Sequence, residues 1–573
     1  MTSSPATSSA VTIFKAARIR TMNPNRPLAT HVAVRDGRIL AVGDASDCAA
    51  WQATWDCTLD ERFAERILMP GFVEAHGHTM EGSLWNNLFL GYFKRTAPDG
   101  HVEGGLKSIE AVVERLKEEE AKLTDPDQAL VAWGFDPIYY SERMTRKHLD
   151  AVSATRPIVI MHASLHLLNV NTPVMERGNM LGQSNVEGIL RDAEGVETGE
   201  LQEMAAMNMA ARVVGEAMAV RDVDADTLRT YGRASVNAGV TTTTDLHQRL
   251  NDDSLAAFLA VTKEADFPIR IVPALGAIQW ALDEGIARAT ELKTQGNDRL
   301  YMGLVKIMTD GSIQGFTGRL KWPGYHNGAP NGLWNVPPAQ LKAMILAYHE
   351  AGMQMHCHVN GDQASEFVID VMEEALTKAP RPDHRHVLQH CQMADRAQFR
   401  RMKALGLSAN LFANHIFYWG EQHYALTMGP DKARRMDACG TALAEGVQFS
   451  VHCDVPVTPL NPLFTAWCAV NRLTSEGRIM GPEECLPVEE ALKAITIGAA
   501  YQLKLDHLVG SIEVGKFADF AVLDSDPAEV EPMKLREVRV LGTISAGQWY
   551  ESAIPADQAP VPDVTIPDAP VPA

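Results

Sequence analysis

The chain has 573 residues, 46% hydrophobic and 22% charged, a balance that supplies a buried core and excludes a largely disordered or fibrous protein. With 52 Lys and Arg against 72 Asp and Glu, the formal charge is −20. That charge argues against nucleic acid or an anionic membrane surface as a partner, because phosphate contacts need clustered cations. Eight cysteines without a CxxC pair exclude a disulfide scaffold, and no run of about 18 apolar residues offers a membrane span.

Met1 to Ala10 is a Ser/Thr/Ala-rich lead-in lacking the basic and apolar regions of a signal peptide, so a soluble, cytoplasmic protein is expected. Over 11–69 the pattern predicts short strands at Val11–Phe14, His31–Val34 and Ile39–Val42, with Asp36-Gly37 as the turn of a hairpin. The stretch 506–555 repeats that style, with strands at Ala518–Leu523 and Val538–Leu541. The two ends are therefore expected to build one small β-sandwich. The long middle, 70–505, alternates strand-like runs (Gly239–Asp245, Ile269–Ala274, Leu304–Met308, Gln354–Val359, His386–His390, Val447–Asp454) with helical patterns such as Val223–Ala238, Pro338–Ala351 and Asp362–Lys378. Alternation of this kind predicts an α/β fold, a (β/α)8 TIM barrel. Such a barrel takes about 250 residues, so insertions are required. The best candidate is 97–220, with a hairpin over Gly188–Leu201. The proline-rich end, 556–573, reads as a disordered tail.

The strongest local signal is Pro70-Gly71-Phe72-Val73-Glu74-Ala75-His76-Gly77-His78. In a strand, alternate side chains share a face, so His76 and His78 project together. The pattern recurs at His356-Cys357-His358, at His386 to His390, where alternation puts His386, Leu388 and His390 on one face, and at Gln448 to Asp454, where Ser450, His452 and Asp454 face inward. Cys357, Cys391 and Cys453 then turn outward and read as small apolar packing residues. Lys306 lies within the apolar strand 304–308 and needs a partner. Either it pairs with a carboxylate such as Asp310, or it has reacted with carbon dioxide to give a carbamate, for which a desolvated neutral amine is the competent form. His76, His78, Lys306, His358, His390 and Asp454 thus lie at the ends of five strands. In a parallel barrel those ends converge on one face, and their nitrogen and oxygen donors suit Zn²⁺ or a similar ion.

These residues resemble the amidohydrolase superfamily of metal-dependent hydrolases. More narrowly they resemble amidohydrolase family 3, the YtcJ-like branch that includes N-substituted formamide deformylases. The resemblance runs through the 70–78 opening, Lys306 into Asp310-Gly311-Ser312, His358-Val359-Asn360-Gly361-Asp362, His390-Cys391-Gln392, Asp454-Val455-Pro456-Val457, and the closing stretch Gly510–Asp519. It implies that His76 and His78 bind one metal and His358 and His390 a second. It also implies that carbamylated Lys306 bridges the two and that Asp454 binds metal and shuttles a proton to the leaving nitrogen. Glu74 stands where the family usually has Asp, and a supporting role is expected there. His358 is preferred over His356 because of the Asn-Gly-Asp that follows it, with His356 and His452 as second choices. One or two divalent ions are allowed.

Aromatic side chains cluster at Trp85, Phe89, Tyr92 and Phe93 and again from Phe412 to Tyr424, where Phe417, Tyr418 and Trp419 are consecutive and read as a loop or lid. If they line the pocket, an apolar or aryl-bearing amide is the expected small-molecule substrate. Trp85, His166, Asp310, His356, His415, Trp419 and His452 are the candidate substrate contacts. A deaminase or cyclic-amide hydrolase on the same barrel, or a retired metal-binding scaffold, are the competing readings. A homodimer is allowed but carries no signal of its own.

Overall fold

The computed structural model describes residues 10–182, 186, 188–215, 223–555, 557–558 and 562. Most of the expected tail at 556–573 lies outside the described residues. Eight strands run parallel in chain order: β1 (Phe72–Glu74), β2 (Val240–Gln248), β3 (Arg270–Gly276), β4 (Leu304–Met308), β5 (Gln354–Val359), β6 (Val387–His390), β7 (Ser408–Leu411) and β8 (Gln448–Val451). Each pairs with the next. A parallel bridge between Gly77 and Val455, with His78 N donating to Val455 O at 2.8 Å, joins the first to the last. Helices follow the strands, among them Asp252–Val261, Leu282–Leu292, Pro338–Glu350, Asp362–Lys378, Arg396–Leu405 and Pro462–Asn471. Several are capped by the side chains the sequence offers: Asn251, Asp395 (with Gln398 in a capping box) and Asn461. The main core packs these helices onto outward residues of the strands, including Val305, Ile307, Met355, Cys357, Leu388 and Ala409.

The barrel interior is apolar where Val272, Ala274 and Leu304 cluster and polar on the side of β5 to β8. Gln389, Asn410, His356, Ser450 and Gln502 are buried there, and each is hydrogen-bonded, as burial demands.

The chain ends do combine, but not as two stacked sheets. Val11–Arg20, Leu28–Arg35, Arg38–Gly43, Cys57–Asp60 and Ile67–Pro70 pair with Phe520–Leu523, Val540–Ser545 and Gln548–Glu551 in one continuous eight-stranded sheet. Ile67–Pro70, which leads directly into β1, is antiparallel to Phe520–Leu523. The sheet rolls on itself: a Cβ on Gly37 would lie 3.1 Å from Ala546 Cβ. Asp36 and Gly37 have φ of 52° and 73°, the left-handed pair that a two-residue hairpin turn requires.

Between β1 and β2 the chain builds a separate six-stranded sheet in the order Ile189–Arg191, Glu197–Gln202, Leu167–Val170, Ile158–His162, Leu130–Phe135, Leu88–Phe89. Its first two strands form the expected antiparallel hairpin. No helix among the described residues is long and apolar enough to cross a membrane.

Candidate metal centre

His76, His78 and Asp454 meet across the seam where the barrel closes. The two Nε2 atoms lie 3.2 and 3.3 Å from Asp454 Oδ1, and one donor atom from each of the three residues lies within 4.8 Å of the others. His390 Nδ1 is 3.8 Å from Asp454 Oδ2, and the rings of His76 and His390 are 4.4 Å apart. Lys306, on β4, is buried with Nζ 3.3 Å from His76 Nε2. His358, at the end of β5, has its ring 4.6 Å from that of His390. The residues expected to hold metal are therefore neighbours in space.

The interior hydrogen bonds fix the orientation and tautomer of these rings. His356 Nε2 lies 3.3 Å from Gln502 O, so it carries the proton, and its Nδ1 accepts from Gln389 Nε2 at 2.7 Å. Gln389 Oε1 then accepts from Asn410 Nδ2 at 2.9 Å and from His76 Nδ1 at 2.7 Å. His76 is left with a lone pair on Nε2. His78 donates Nδ1–H to Leu246 O at 2.8 Å and likewise presents Nε2. Asn410 Oδ1 accepts from Ser450 Oγ at 2.7 Å and His452 Nδ1 at 3.1 Å. His452 Nε2 therefore accepts from His390 Nδ1 at 3.1 Å, and among the described residues His390 Nε2 remains buried without a partner. Two imidazole lone pairs and a carboxylate facing one another, with the His390 ring beside them, form a donor set that fits a divalent cation, and an orphaned buried nitrogen is what a cation would satisfy. By the same logic His452 orients His390, and His356 lies one layer deeper than His358. His358 Nε2 donates to Gly311 O at 3.4 Å, which leaves the lone pair of Nδ1 for a ligand.

Electrostatics agree with this reading. Burial holds His76, His358 and His390 well below the usual imidazole range and brings His356 and His452 to about 3, so all five rings are neutral. Burial brings Lys306 down to about 7, and among the described residues it forms no ion pair with Asp310. That carboxylate is spent on the amides of Asn360 (3.0 Å), Gly361 (2.9 Å) and Arg319 (2.9 Å), which shape the loops after β4 and β5. Glu74 is buried and accepts from the amides of His76 and Cys453, both at 3.0 Å. It thus clamps β1 to β8 at the seam.

Strict alternation fails at one decisive place. Leu388 packs outward and Gln389 inward, so His390 should point outward. It points inward because its φ is +71°, and Cys391 follows at +50°. Asp454, at φ +51°, breaks regularity in the same way beyond β8. Left-handed non-glycine residues of this kind concentrate at functional sites. Cys357 and Cys391 pack into the outer core as expected, and Cys453 Sγ is held by Thr465 Oγ1.

The other candidates are more dispersed. Phe417, Tyr418 and Trp419 belong to the helix Asn414–Gln422 and are buried, so they form no loop. Trp419 donates to Asp136 Oδ2 at 2.9 Å and packs on His415. His415 is bonded to His423 and separated from His452 by the Phe412 ring. Trp85 packs on Phe89 and Trp133 in the inserted sheet's core. His166 lies beside the cluster, its ring 5.9 Å from His358. Sequence reasoning missed Gln389, Asn410 and Gln502. A polar residue on an otherwise apolar barrel strand was the available signal for the first two.

Residues 64–549 match the amidohydrolase family. The chain is 25% identical over 510 residues to the putative amidohydrolase YtcJ of Bacillus subtilis, covering 84% of this chain and 88% of that protein. It is 25% identical over 544 residues to the N-substituted formamide deformylase of Arthrobacter pascens, covering 93% and 96%. A crystal structure of an uncharacterized metal-dependent hydrolase from Pyrococcus horikoshii superposes with a TM-score of 0.68 at 21% identity, covering 91% of this chain and 99% of that one. That likeness speaks to the fold. The match over most of its length shows that this chain belongs to the amidohydrolase family and is a hydrolase acting on carbon–nitrogen bonds.

Proposed function

We propose that the protein hydrolyses the C–N bond of a non-peptide amide, an N-substituted formamide or a related apolar or aryl amide, with zinc held by His76, His78, His358, His390 and Asp454. The observation that carries this reading is the convergence of His76 and His78 Nε2 on Asp454 Oδ1, beside the ring of His390, whose Nε2 has no partner among the described residues. The similarity to a formamide deformylase over nearly the whole of both chains supports the substrate class. A bound divalent ion supplies Lewis acidity: it polarises the carbonyl and lowers the pKa of water from 15.7 to about 7.

The protein's own groups do the rest. Asp454, which a bound cation would keep ionised, accepts the proton of the attacking water and returns it to the leaving nitrogen, acting first as base and then as acid. Gln389 and Leu246 O hold His76 and His78 with their lone pairs forward. Lys306, buried and near neutral, is in the form that takes up carbon dioxide, and the resulting carbamate would offer two oxygens to the metal site.

The test is metal analysis of purified protein, followed by turnover of formanilide, acetanilide, a hydantoin and adenosine with identification of the products. Formate and aniline from formanilide support the proposal. Ammonia from adenosine or ring-opened acid from the hydantoin points instead to a deaminase or cyclic-amide hydrolase. Absence of metal together with absence of turnover leaves only a scaffold.

A further inference from the structure

Beside the metal cluster, the inserted sheet presents a histidine–carboxylate pair that none of the barrel strands supplies. The strand Glu197–Gln202 ends at Glu203, which takes φ +58° as it enters the helix Glu203–Val214, a conformation a non-glycine residue adopts only when its surroundings impose it. Its Oε2 lies 3.0 Å from His166 Nδ1, and its own amide donates to His166 O at 2.8 Å. Among the described residues its Oε1 is buried without a partner, and it faces Gly311, where a Cβ would come within 2.9 Å of it. Gly311 O in turn accepts from Asn360 Nδ2 at 2.8 Å, next to His358. The insertion therefore abuts the loop that carries the metal site.

Since a carboxylate only accepts, the proton on His166 Nδ1 points to Glu203 and Nε2 points away. Among the described residues no hydrogen bond engages that Nε2. On one side of the ring is His358. The chain neighbours of His166, Ser164 and Leu167, line a cleft of about 660 Å³ together with Gln202, Gln314 and Phe316, where among the described residues Gln314 Oε1 is a second buried acceptor without a partner. The ring thus lies beside His358, on a segment whose neighbouring residues belong to the cleft wall. We infer that His166 hydrogen-bonds the scissile amide group of the substrate through Nε2, and that Glu203 is the positioning residue that holds the ring for it. The cleft receives the substituent on the amide nitrogen. This inference rests on the amide-hydrolase reading.

Zinc-loaded full-length protein and its H166Q, E203Q, H166Q/E203Q and H166A variants are compared by metal content, Tm and formanilide kinetics. H166Q is expected to keep its zinc and lower kcat/KM by about 10- to 100-fold, the loss of one substrate hydrogen bond. E203Q is expected to lower it less, and to lower it no further in the H166Q background, which a merely structural glutamate would do. Added imidazole should restore part of the activity of H166A. The inference is overturned if H166Q stays within about twofold of the wild type, if E203Q acts equally in both backgrounds, or if the loss follows the zinc content. Zinc-loaded wild type that turns over none of the amides overturns the amide-hydrolase reading instead, and this inference with it.

Discussion

Gln389→Leu removes the residue on which the orientation of the cluster depends. Three buried groups lose their partner in this variant: His76 Nδ1 at 2.7 Å, His356 Nδ1 at 2.7 Å and Asn410 Nδ2 at 2.9 Å. Leucine has nearly the volume of glutamine, so little room opens for water to replace it. Each stranded buried group costs about 1–3 kcal/mol, so the sum is about 3–9 kcal/mol, comparable with the whole stability of many domains, about 5–15 kcal/mol. Freed of its acceptor, His76 also loses the preference that keeps its Nε2 unprotonated, and metal affinity should fall by about 10- to 100-fold. Gln389→Glu is the control: it keeps an acceptor for His76 and Asn410 and loses only the donor to His356, so about one-third of the destabilisation is expected. Urea unfolding with and without zinc, paired with zinc titration against a competing chelator, measures both quantities. If the leucine variant stays within about 1 kcal/mol of the wild type and binds zinc as tightly, the tautomer chain does not control the site.

Three further outcomes are expected. Asp454→Asn should abolish turnover while far-UV circular dichroism and Tm stay near those of the wild type, because an amide cannot accept and return the proton. Glu74→Ala strands the buried amides of His76 and Cys453, so a Tm decrease equivalent to about 2–6 kcal/mol and weakened zinc retention should appear together in calorimetry and metal analysis. His356 and His452, held at about 3 against the usual 6.5, bind protons only once unfolded in mild acid. Stability of the metal-free protein should therefore fall as pH drops below 6.5, by about 1.4 kcal/mol for each at pH 5.5. A flat Tm profile between pH 7 and 5.5 in the presence of chelator would contradict that.

The sequence exposes the barrel and the ligand types because both rest on local periodicity. A His-x-His at a strand end, or a lysine inside an apolar run such as 304–308, is legible one segment at a time. It does not expose what depends on contacts between distant segments or on single backbone torsions. His390 reaches the cluster through a left-handed turn that alternation cannot anticipate. Gln389, Asn410 and Gln502 acquire their purpose only when β5, β6, β7 and the helix Ile497–Gln502 surround one axis. Phe417–Trp419 read as a loop because three aromatics in a row cannot share one strand face, yet a buried helix between barrel and insertion covers all of its sides. The terminal strands read as a sandwich because spacing reveals strands and not their partners. The pairing of Ile67–Pro70 with Phe520–Leu523 merges the two groups into one sheet.

The bridge between Gly77 and Val455 has a consequence for biosynthesis. The proposed ligands from the opening and the final strand of the cylinder, His76 and Asp454, are neighbours only after most of the polypeptide has left the ribosome. A nascent chain stalled ahead of Asp454 therefore has imidazoles but no carboxylate to gather them. At the proposed site, capture of an ion is then a late event, and termination upstream of Asp454 yields a chain that lacks the proposed proton shuttle, whatever part of it has already folded.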